Sequence, residues 1–291
     1  MPVTQLQPAK VRDLHTDRIL RHHSLLDSGI TESHVRTARH GYLANVSYFD
    51  DMLGDLLDTL RQTGLSRNTV ILLTADHGDM LGEHGLWFKK HFFDHASRVP
   101  LIVHAPEYFS NGRSLVNVSL VDLLPTLCDL AGFKVAEHAP QTLDGSSLVS
   151  QCEHPEHSNS GAVYAEITSE GVPAPMFMVR SGQYKLIQGG DVPPVLYDLA
   201  NDPEERSNVV DQPELTDTRR SLESLIQDCW DPASLERDIR LSQRRRRLVH
   251  AAHQKDTAPV WDHQPEDPTV SWIHRGPELY NDWAWLGIET P

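Results

Sequence analysis

The sequence has few cysteines, only three in 291 residues. Cys128, Cys152 and Cys229 are widely spaced, and no two of them have the short C-x-x-C spacing that is typical of a metal site. An odd number of distant cysteines also argues against a disulfide framework. The sequence therefore predicts three thiols that are neither bridged nor metal ligands.

Long apolar runs and positive charge are also scarce. No run is long enough to cross a bilayer, and residues 1–14 lack a signal-peptide pattern, so we expect a soluble, cytoplasmic protein with no membrane partner. The chain has 26 Lys and Arg against 41 Asp and Glu, a net charge of −15 that disfavours nucleic acid as a partner. The four arginines 244–247 spread around a helix and do not form one phosphate-binding face.

The most informative stretch runs from Thr69 to Pro106. An apolar, β-branched run (residues 69–75) ends in Asp76, His77, Gly78 and Asp79, and a second apolar run (residues 99–103) follows a His-rich loop. Such a continuous run suits a strand that is covered on both faces. Ligands of open α/β sheets gather at strand ends, so this bend is the candidate site.

Asp76 and His77 offer a carboxylate oxygen and an imidazole nitrogen at this bend. Adjacent residues point to opposite faces of a regular strand, but a bend can aim both at one point. Together they are a common ligand mixture for a divalent cation, although two ligands do not complete a site. The alternative is that Asp76 caps the next segment and His77 packs in a loop.

The first half of the chain has the pattern of an α/β protein. Residues 1–34 lack strong periodicity and are interpreted as a strap that leads into a helix. From Val35 to about Gln62 apolar residues recur every three or four positions, which predicts an amphipathic helix with Gly64 as its stop. A helix followed by an apolar strand is an αβ unit of a mostly parallel sheet. Residues 117–132 predict a second such unit.

The second half changes to short alternating strands. They are predicted at residues 163–167, 176–180, 184–188 and 195–198, the middle pair joined as a hairpin around residues 181–183. Helices are predicted at residues 213–229 and 232–254. We therefore expect three regions: an α/β part (1–155), a small antiparallel subdomain with helices (156–258) and an aromatic tail (259–291).

The string TADHGDMLGEHGLWFKK followed by RVPLIVHAP resembles the metal-binding segment of sulfatases in the alkaline-phosphatase superfamily. With ARHGYLANVSYFDD upstream and VLYDLANDPEERSNV downstream, it is most similar to bacterial choline sulfatases. The resemblance implies that Asp76 and His77 bind a divalent cation, Ca²⁺ or else Mg²⁺ or Mn²⁺, and that Lys89 contacts the sulfate of a small sulfate ester. It also suggests that Asp122 holds a backbone turn, and that Glu166 meets the quaternary ammonium of choline, the alternative being a surface carboxylate on a strand.

One expected motif is missing. Sulfatases attack sulfur with a formylglycine made from the Cys or Ser of a C/S-x-P-x-R segment, and no Cys or Ser here is followed by x-P. The resemblance thus covers the C-terminal portion of such an enzyme, without its nucleophile and its early metal-binding Asp pair. We expect the isolated chain to be poorly soluble or only partly folded unless an N-terminal partner chain supplies the remainder, to bind a cation weakly at Asp76 and His77, and to hydrolyse no sulfate ester.

Three readings of function remain open at this point. The first is hydrolysis of a sulfate monoester, most simply choline sulfate, in the intact enzyme. The second is a phosphonate or phosphate monoester hydrolase of the same superfamily, and the third is a non-catalytic oligomerisation module. The resemblance implies a homo-oligomer joined through the tail, where the roles of Glu278 and Asp282 stay unassigned.

Overall fold

The computed structural model describes residues 12–26, 28–135, 142–157, 161–169, 171–190 and 192–253. The predictions for the tail, including Glu278 and Asp282, lie outside these residues. The described helices are α1 (Leu14–His22), α2 (Glu32–Gln62), α3 (Asp94–Ser97), α4 (Leu123–Leu130), α5 (Val149–Glu153), α6 (Thr216–Cys229) and α7 (Pro232–His253). The strands are β1 (Ile71–Thr74), β2 (Met80–Leu81), β3 (Trp87–Phe88), β4 (Leu101–His104), β5 (Val163–Ile167), β6 (Met176–Ser181), β7 (Tyr184–Gly189) and β8 (Val192–Asp198).

The strands β5 to β8 form an antiparallel sheet in sequence order. As predicted, β6 and β7 are a hairpin whose two-residue turn has Gly182 at a positive φ of 56°. One face of the sheet packs Phe177, Val179 and Leu186 against Leu222 and Ile226 of α6.

The other face of this sheet packs against the segments that carry the candidate site. The core on this face contains side chains of α1, of the segment from β2 to α3, and of β6 to β8. They are Ile19, Leu20, Met80, Leu86, Phe92, Phe93, Met176, Met178, Ile187 and Tyr197. The predicted boundary at residue 155 therefore separates the helices and short strands of the first part from the antiparallel sheet of the second. One hydrophobic core contains residues from both sides of this boundary. The chain divides into two compact units between residues 239 and 240.

The strands β1 and β4 pair with each other, with Leu72 opposite Val103. Their direction is antiparallel, so the mostly parallel sheet predicted for this part is not what the described residues form, although the α/β class is confirmed. The connection between β1 and β4 contains the short hairpin β2–β3 and α3.

Helix α2 confirms the predicted amphipathic helix. Thr31 caps it, its side chain accepting from the His34 backbone N–H, and Gly64 follows its end at a φ of 75°. Its apolar stripe is nonetheless exposed, including Leu43 and Phe49 at 61% and 55%. An exposed stripe of this size is a surface that another segment or chain would cover.

Two local expectations have different outcomes. Asp122 holds a turn as predicted, since its carboxylate accepts the backbone N–H groups of Ser119 and Ser146 at 2.8 and 2.9 Å. The strap predicted for residues 1–34 is wrong in part, because α1 forms within it with Asp13 as its cap. Among the described residues no helix is both long and apolar enough to cross a membrane.

Candidate active site

The chain bends sharply where β1 ends, and Gly78 makes the bend possible. Its backbone N–H donates to the carbonyl of Ala96 at 2.8 Å, which ties the bend to α3. A Cβ at this position would collide with the backbone carbonyl oxygen of His95. The close approach of two backbone segments therefore requires glycine here.

We expect Gly78→Ala to destabilise the protein by about 1 to 3 kcal/mol, the usual cost of overpacking, because neither backbone segment can move alone. Chemical denaturation would measure it. The control is Gly54→Ala on exposed α2, where a Cβ meets no atom within 4 Å and alanine favours the helix. Equal effects of the two substitutions would contradict this account of the bend.

At the bend, Asp76 and His77 turn towards the same point. The Asp76 Oδ1 atom accepts the backbone N–H of His77 at 3.0 Å, and its Oδ2 lies 3.3 Å from His77 Nε2. The His77 Nδ1–H donates to the carbonyl of Gly78 at 2.9 Å. This bond assigns the proton to Nδ1 and leaves the lone pair of Nε2 free.

Lys89 reaches the same point from β3. Its Nζ lies 2.5 Å from His77 Nε2, so the three side chains predicted from the sequence meet in space. The preceding Phe88 has a φ of 70°, a strained value for an aromatic residue, of the kind that collects at functional sites. This conformation directs Lys89 back towards His77.

This donor set fits a divalent cation. Metal-binding histidines usually donate their other ring N–H to a carbonyl or carboxylate, as His77 does to Gly78. Asp76 Oδ2 and His77 Nε2 are close enough to contact one ion, and the cationic Nζ of Lys89 already lies against the imidazole lone pair. Asp76 is 84% exposed, so its carboxylate is open to further ligands.

The loop that carries Lys89 is anchored on its α2 side by Glu83. This buried carboxylate accepts the Leu81 N–H and a charge-assisted hydrogen bond from Arg39 of α2, both at 2.6 Å. Arg39 also donates to the Leu81 carbonyl at 2.9 Å. These bonds fix the start of the loop before Lys89.

A stack of buried aromatic rings anchors the loop on the α1 side. His91 stacks between His15 and Phe93, with ring centroids 4.6 and 3.9 Å away, and His84 stacks on the other face of Phe93 at 4.0 Å. His91 Nε2 lies 3.1 Å from Thr16 Oγ1. Burial disfavours the charged imidazole and lowers the pKa of His15 to about 3 and that of His84 to about 4.

These two histidines should make the protein less stable in acid. Below about pH 6.5 the unfolded chain takes up protons at His15 and His84 that the folded chain does not bind, so stability falls with pH, by about 2 kcal/mol per histidine down to about pH 5. Urea unfolding at about pH 6.5 and at about pH 5 measures this difference in the free energy of unfolding. His15→Phe should reduce the pH dependence. A profile unchanged by that substitution would contradict the assignment.

Lys185 anchors the end of the loop from the C-terminal sheet. Its Nζ is buried and donates to the carbonyl of Phe92 at 3.0 Å, to Glu205 at 2.7 Å and to Asp94. The other carboxylate oxygen of Glu205 accepts the Asp94 N–H at 2.6 Å. Burial raises the pKa of the Glu205 carboxyl. Burial also acts to raise the pKa of Asp94, but Lys185 together with Arg180 and Arg98 outweighs burial, so that this pKa is lowered.

Other predicted positions lie elsewhere. Glu166 is exposed on the outer face of β5, on the side of the sheet where its charge reaches the thiol of Cys229. A cleft of about 1240 Å³ beside β4 includes Arg98 and Arg180 among its lining residues, but not Asp76, His77 or Lys89. The sequence did not indicate Asp79, whose carboxylate pairs with the Tyr42 hydroxyl of α2.

Comparison with known proteins gives three successive family matches. The family described as Sulfatase matches residues 10–133, the N-sulphoglucosamine sulphohydrolase C-terminal family matches residues 82–231, and the choline sulfatase enzyme C-terminal family matches residues 237–272. Asp76 and His77 lie within the first match, and Lys89 lies within the first two.

Individual proteins agree with these matches. The chain is 37% identical to a choline-sulfatase of Rhizobium meliloti (strain 1021) over 89% of its own length and 50% of that protein, so it spans half of this relative. A solved 2-O GAG sulfatase superposes with a TM-score of 0.64 at 27% identity, covering 78% of this chain and 52% of the other. A phosphonate monoester hydrolase of Agrobacterium radiobacter gives 0.60 at 26% identity, covering 69% and 42%.

Proposed function

Because this chain belongs to the sulfatase family, we propose that it forms the C-terminal portion of an enzyme that hydrolyses a sulfate monoester, with choline sulfate as the substrate. The single observation that carries the proposal is the meeting of Asp76, His77 and Lys89 at the end of β1. The choline-sulfatase relative and the C-terminal family match at residues 237–272 support choline sulfate in particular.

Each side chain has a definite part in this proposal. Asp76 Oδ2 and His77 Nε2 hold a divalent cation, Ca²⁺ in the first instance, and the Nδ1–H bond to Gly78 keeps the imidazole in the required tautomer. Such an ion supplies Lewis-acid polarisation of a sulfate oxygen. The remaining ligands and the nucleophile come from a segment outside these residues.

Lys89 is the proposed catalytic residue of this chain. With a cation held beside His77, the Lys89 ammonium would contact the sulfate oxygens and would neutralise the charge that builds up as the S–O bond to the leaving alcohol breaks. The strained backbone at Phe88 and the anchors on both sides of the loop hold it in place before substrate arrives.

Hydrolysis of a phosphonate or phosphate monoester is the second candidate function. The superposition on a phosphonate monoester hydrolase favours it, and a tetrahedral phosphoryl group presents similar oxygens to a cation and an ammonium group. Glu166 does not discriminate between the two, because it lies on the exposed face of β5.

A complementation experiment separates these functions. The chain is expressed with the N-terminal half of the Rhizobium meliloti choline-sulfatase, and this reconstituted enzyme is supplied with choline sulfate, a phosphate monoester and a phosphonate monoester. We expect sulfate release from choline sulfate to be fastest and the chain alone to release none. Faster phosphonate hydrolysis would favour the second candidate. Co-assembly without any turnover would favour the non-catalytic oligomerisation module.

A further inference from the structure

A short surface turn carries a second cluster of possible metal ligands. The segment His154-Pro155-Glu156-His157 precedes β5, and its two imidazoles stack with ring centroids 4.8 Å apart. Oε1 of Glu156 lies 3.7 Å from His154 Nδ1 and 3.8 Å from His157 Nε2. One ligand atom from each of the three side chains lies within 4.8 Å of the others.

We propose that His154, Glu156 and His157 bind a zinc-class transition metal ion, separate from the cation at Asp76 and His77. Zinc holds nitrogen and oxygen ligands about 2.0 to 2.2 Å away, which sets tetrahedral ligand atoms about 3.3 Å apart. The two Glu156 distances exceed this by about 0.5 Å and the distance between the imidazole ligand atoms by up to about 1.5 Å, gaps that rotations of these exposed side chains would close. Three protein ligands with one open position are a common zinc arrangement.

The chemistry of the donors selects the ion. Imidazole nitrogen suits zinc, copper and nickel, whereas Ca²⁺ takes six to eight oxygen ligands, which one carboxylate does not provide. Glu153 adds a further negative charge next to the turn, and the net charge of −15 attracts cations in general. The site thus offers two imidazole nitrogens, where the site proposed at Asp76 and His77 offers one.

The backbone of the turn is arranged before any ion binds. The His157 N–H donates to the His154 carbonyl at 3.0 Å, which closes the turn, and Pro155 fixes one of its dihedral angles. The Gln151 side-chain nitrogen donates to Ser114 Oγ at 2.8 Å and faces the carbonyls of residues 154, 155 and 157 at 3.3 to 3.4 Å. Little backbone entropy is lost when such a turn binds a ligand.

The position of the turn suggests what the ion does. Pro155 and Gln151 line the cleft beside β4, and the turn lies where the α/β part passes into the strands of the C-terminal sheet. An ion bound by residues 154 to 157 would hold this connection in one conformation. This role does not depend on the proposed hydrolysis.

The test is a Co²⁺ titration of the full chain, followed by its visible absorption and then by displacement with Zn²⁺. His157→Gln and Glu156→Gln should each lower the affinity more than about tenfold, since even outer-shell partners of metals are worth that much. His250→Gln, another exposed histidine, should leave this binding unchanged, whereas His77→Gln reports any Co²⁺ that binds at the end of β1. All four side chains lie at the surface or at a bend, and circular dichroism checks that each variant folds.

The double variant His154→Gln, His157→Gln tests the proposal most strongly. If it binds Co²⁺ and Zn²⁺ as tightly as the unmodified chain does, the proposal is overturned, because the ion would then be bound elsewhere, for example by a thiol. A loss of binding in His77→Gln alone would overturn it as well, since it would assign the signal to the end of β1. Failure of the hydrolysis assay has no bearing on either result.

Discussion

Replacing Lys185 by methionine is expected to lower the free energy of unfolding by about 3 to 5 kcal/mol. The Lys185 ammonium is 1% exposed and is the shared partner of Asp94 and Glu205. Methionine fills a similar volume but leaves the buried Glu205 carboxylate without its cation, and a desolvated charge without a partner is costly. Asp94 also loses its buried cation and keeps only the contacts with Arg180 and Arg98. Urea denaturation followed by circular dichroism measures the loss.

The matched control removes an exposed ion pair. Arg61→Met breaks the contact with Asp58 at the end of α2, where both side chains are more than half exposed, and should cost less than about 1 kcal/mol. The double variant Asp94→Asn, Glu205→Gln should tolerate Lys185→Met better than the parent does. A loss below about 1 kcal/mol for Lys185→Met would show that the buried network does not hold the loop to the sheet.

The second large effect concerns Lys89. Lys89→Ala in the reconstituted enzyme should lower kcat/KM for choline sulfate by about 100-fold to 1000-fold, as expected when a preorganised group that stabilises transition-state charge is lost. We expect this loss because the ammonium of Lys89, which directly follows β3, lies against His77 and is the charge nearest to the proposed cation. Initial rates of sulfate release at several substrate concentrations measure it.

The neighbouring lysine is the control. Lys90→Ala should leave the rate within about twofold, because the resemblance assigns the sulfate contact to Lys89, whose ammonium the structure places against His77. Lys89→Arg should restore part of the activity, because arginine keeps the positive charge. The restoration should be incomplete, because the planar guanidinium differs in shape from the ammonium group. Similar rates for Lys89→Ala and the parent would remove Lys89 from the mechanism.

Features that depend on neighbouring residues were predictable from the sequence. The three- and four-residue spacing predicted α2 from Val35 to its end at Gln62, although the helix begins at Glu32, and the alternation around residues 181–183 predicted the hairpin. The resemblance placed Asp122 in a turn, and its bond to Ser119 is local. Asp76 and His77 are adjacent and were predicted as a pair of ligands.

Features that depend on distant residues were not predictable from the pattern. Helix α1 owes its place to the contact of His15 and Thr16 with His91, 75 positions away from Thr16, and its own segment shows no strong periodicity. The partners of Lys185 are likewise remote, and a lysine in a strand usually indicates a solvated face. The antiparallel direction of β1 and β4 follows from tertiary pairing that an apolar run does not specify.

The central claim is that Asp76 and His77 hold a divalent cation beside Lys89. The most direct measurement is a crystal structure of the chain grown in excess Mn²⁺, with the ion located by its anomalous scattering. We predict an ion bound to Asp76 Oδ2 and His77 Nε2, with the Lys89 ammonium displaced from the imidazole. A difference map with no ion at this bend, and Lys89 still on His77, would contradict the account.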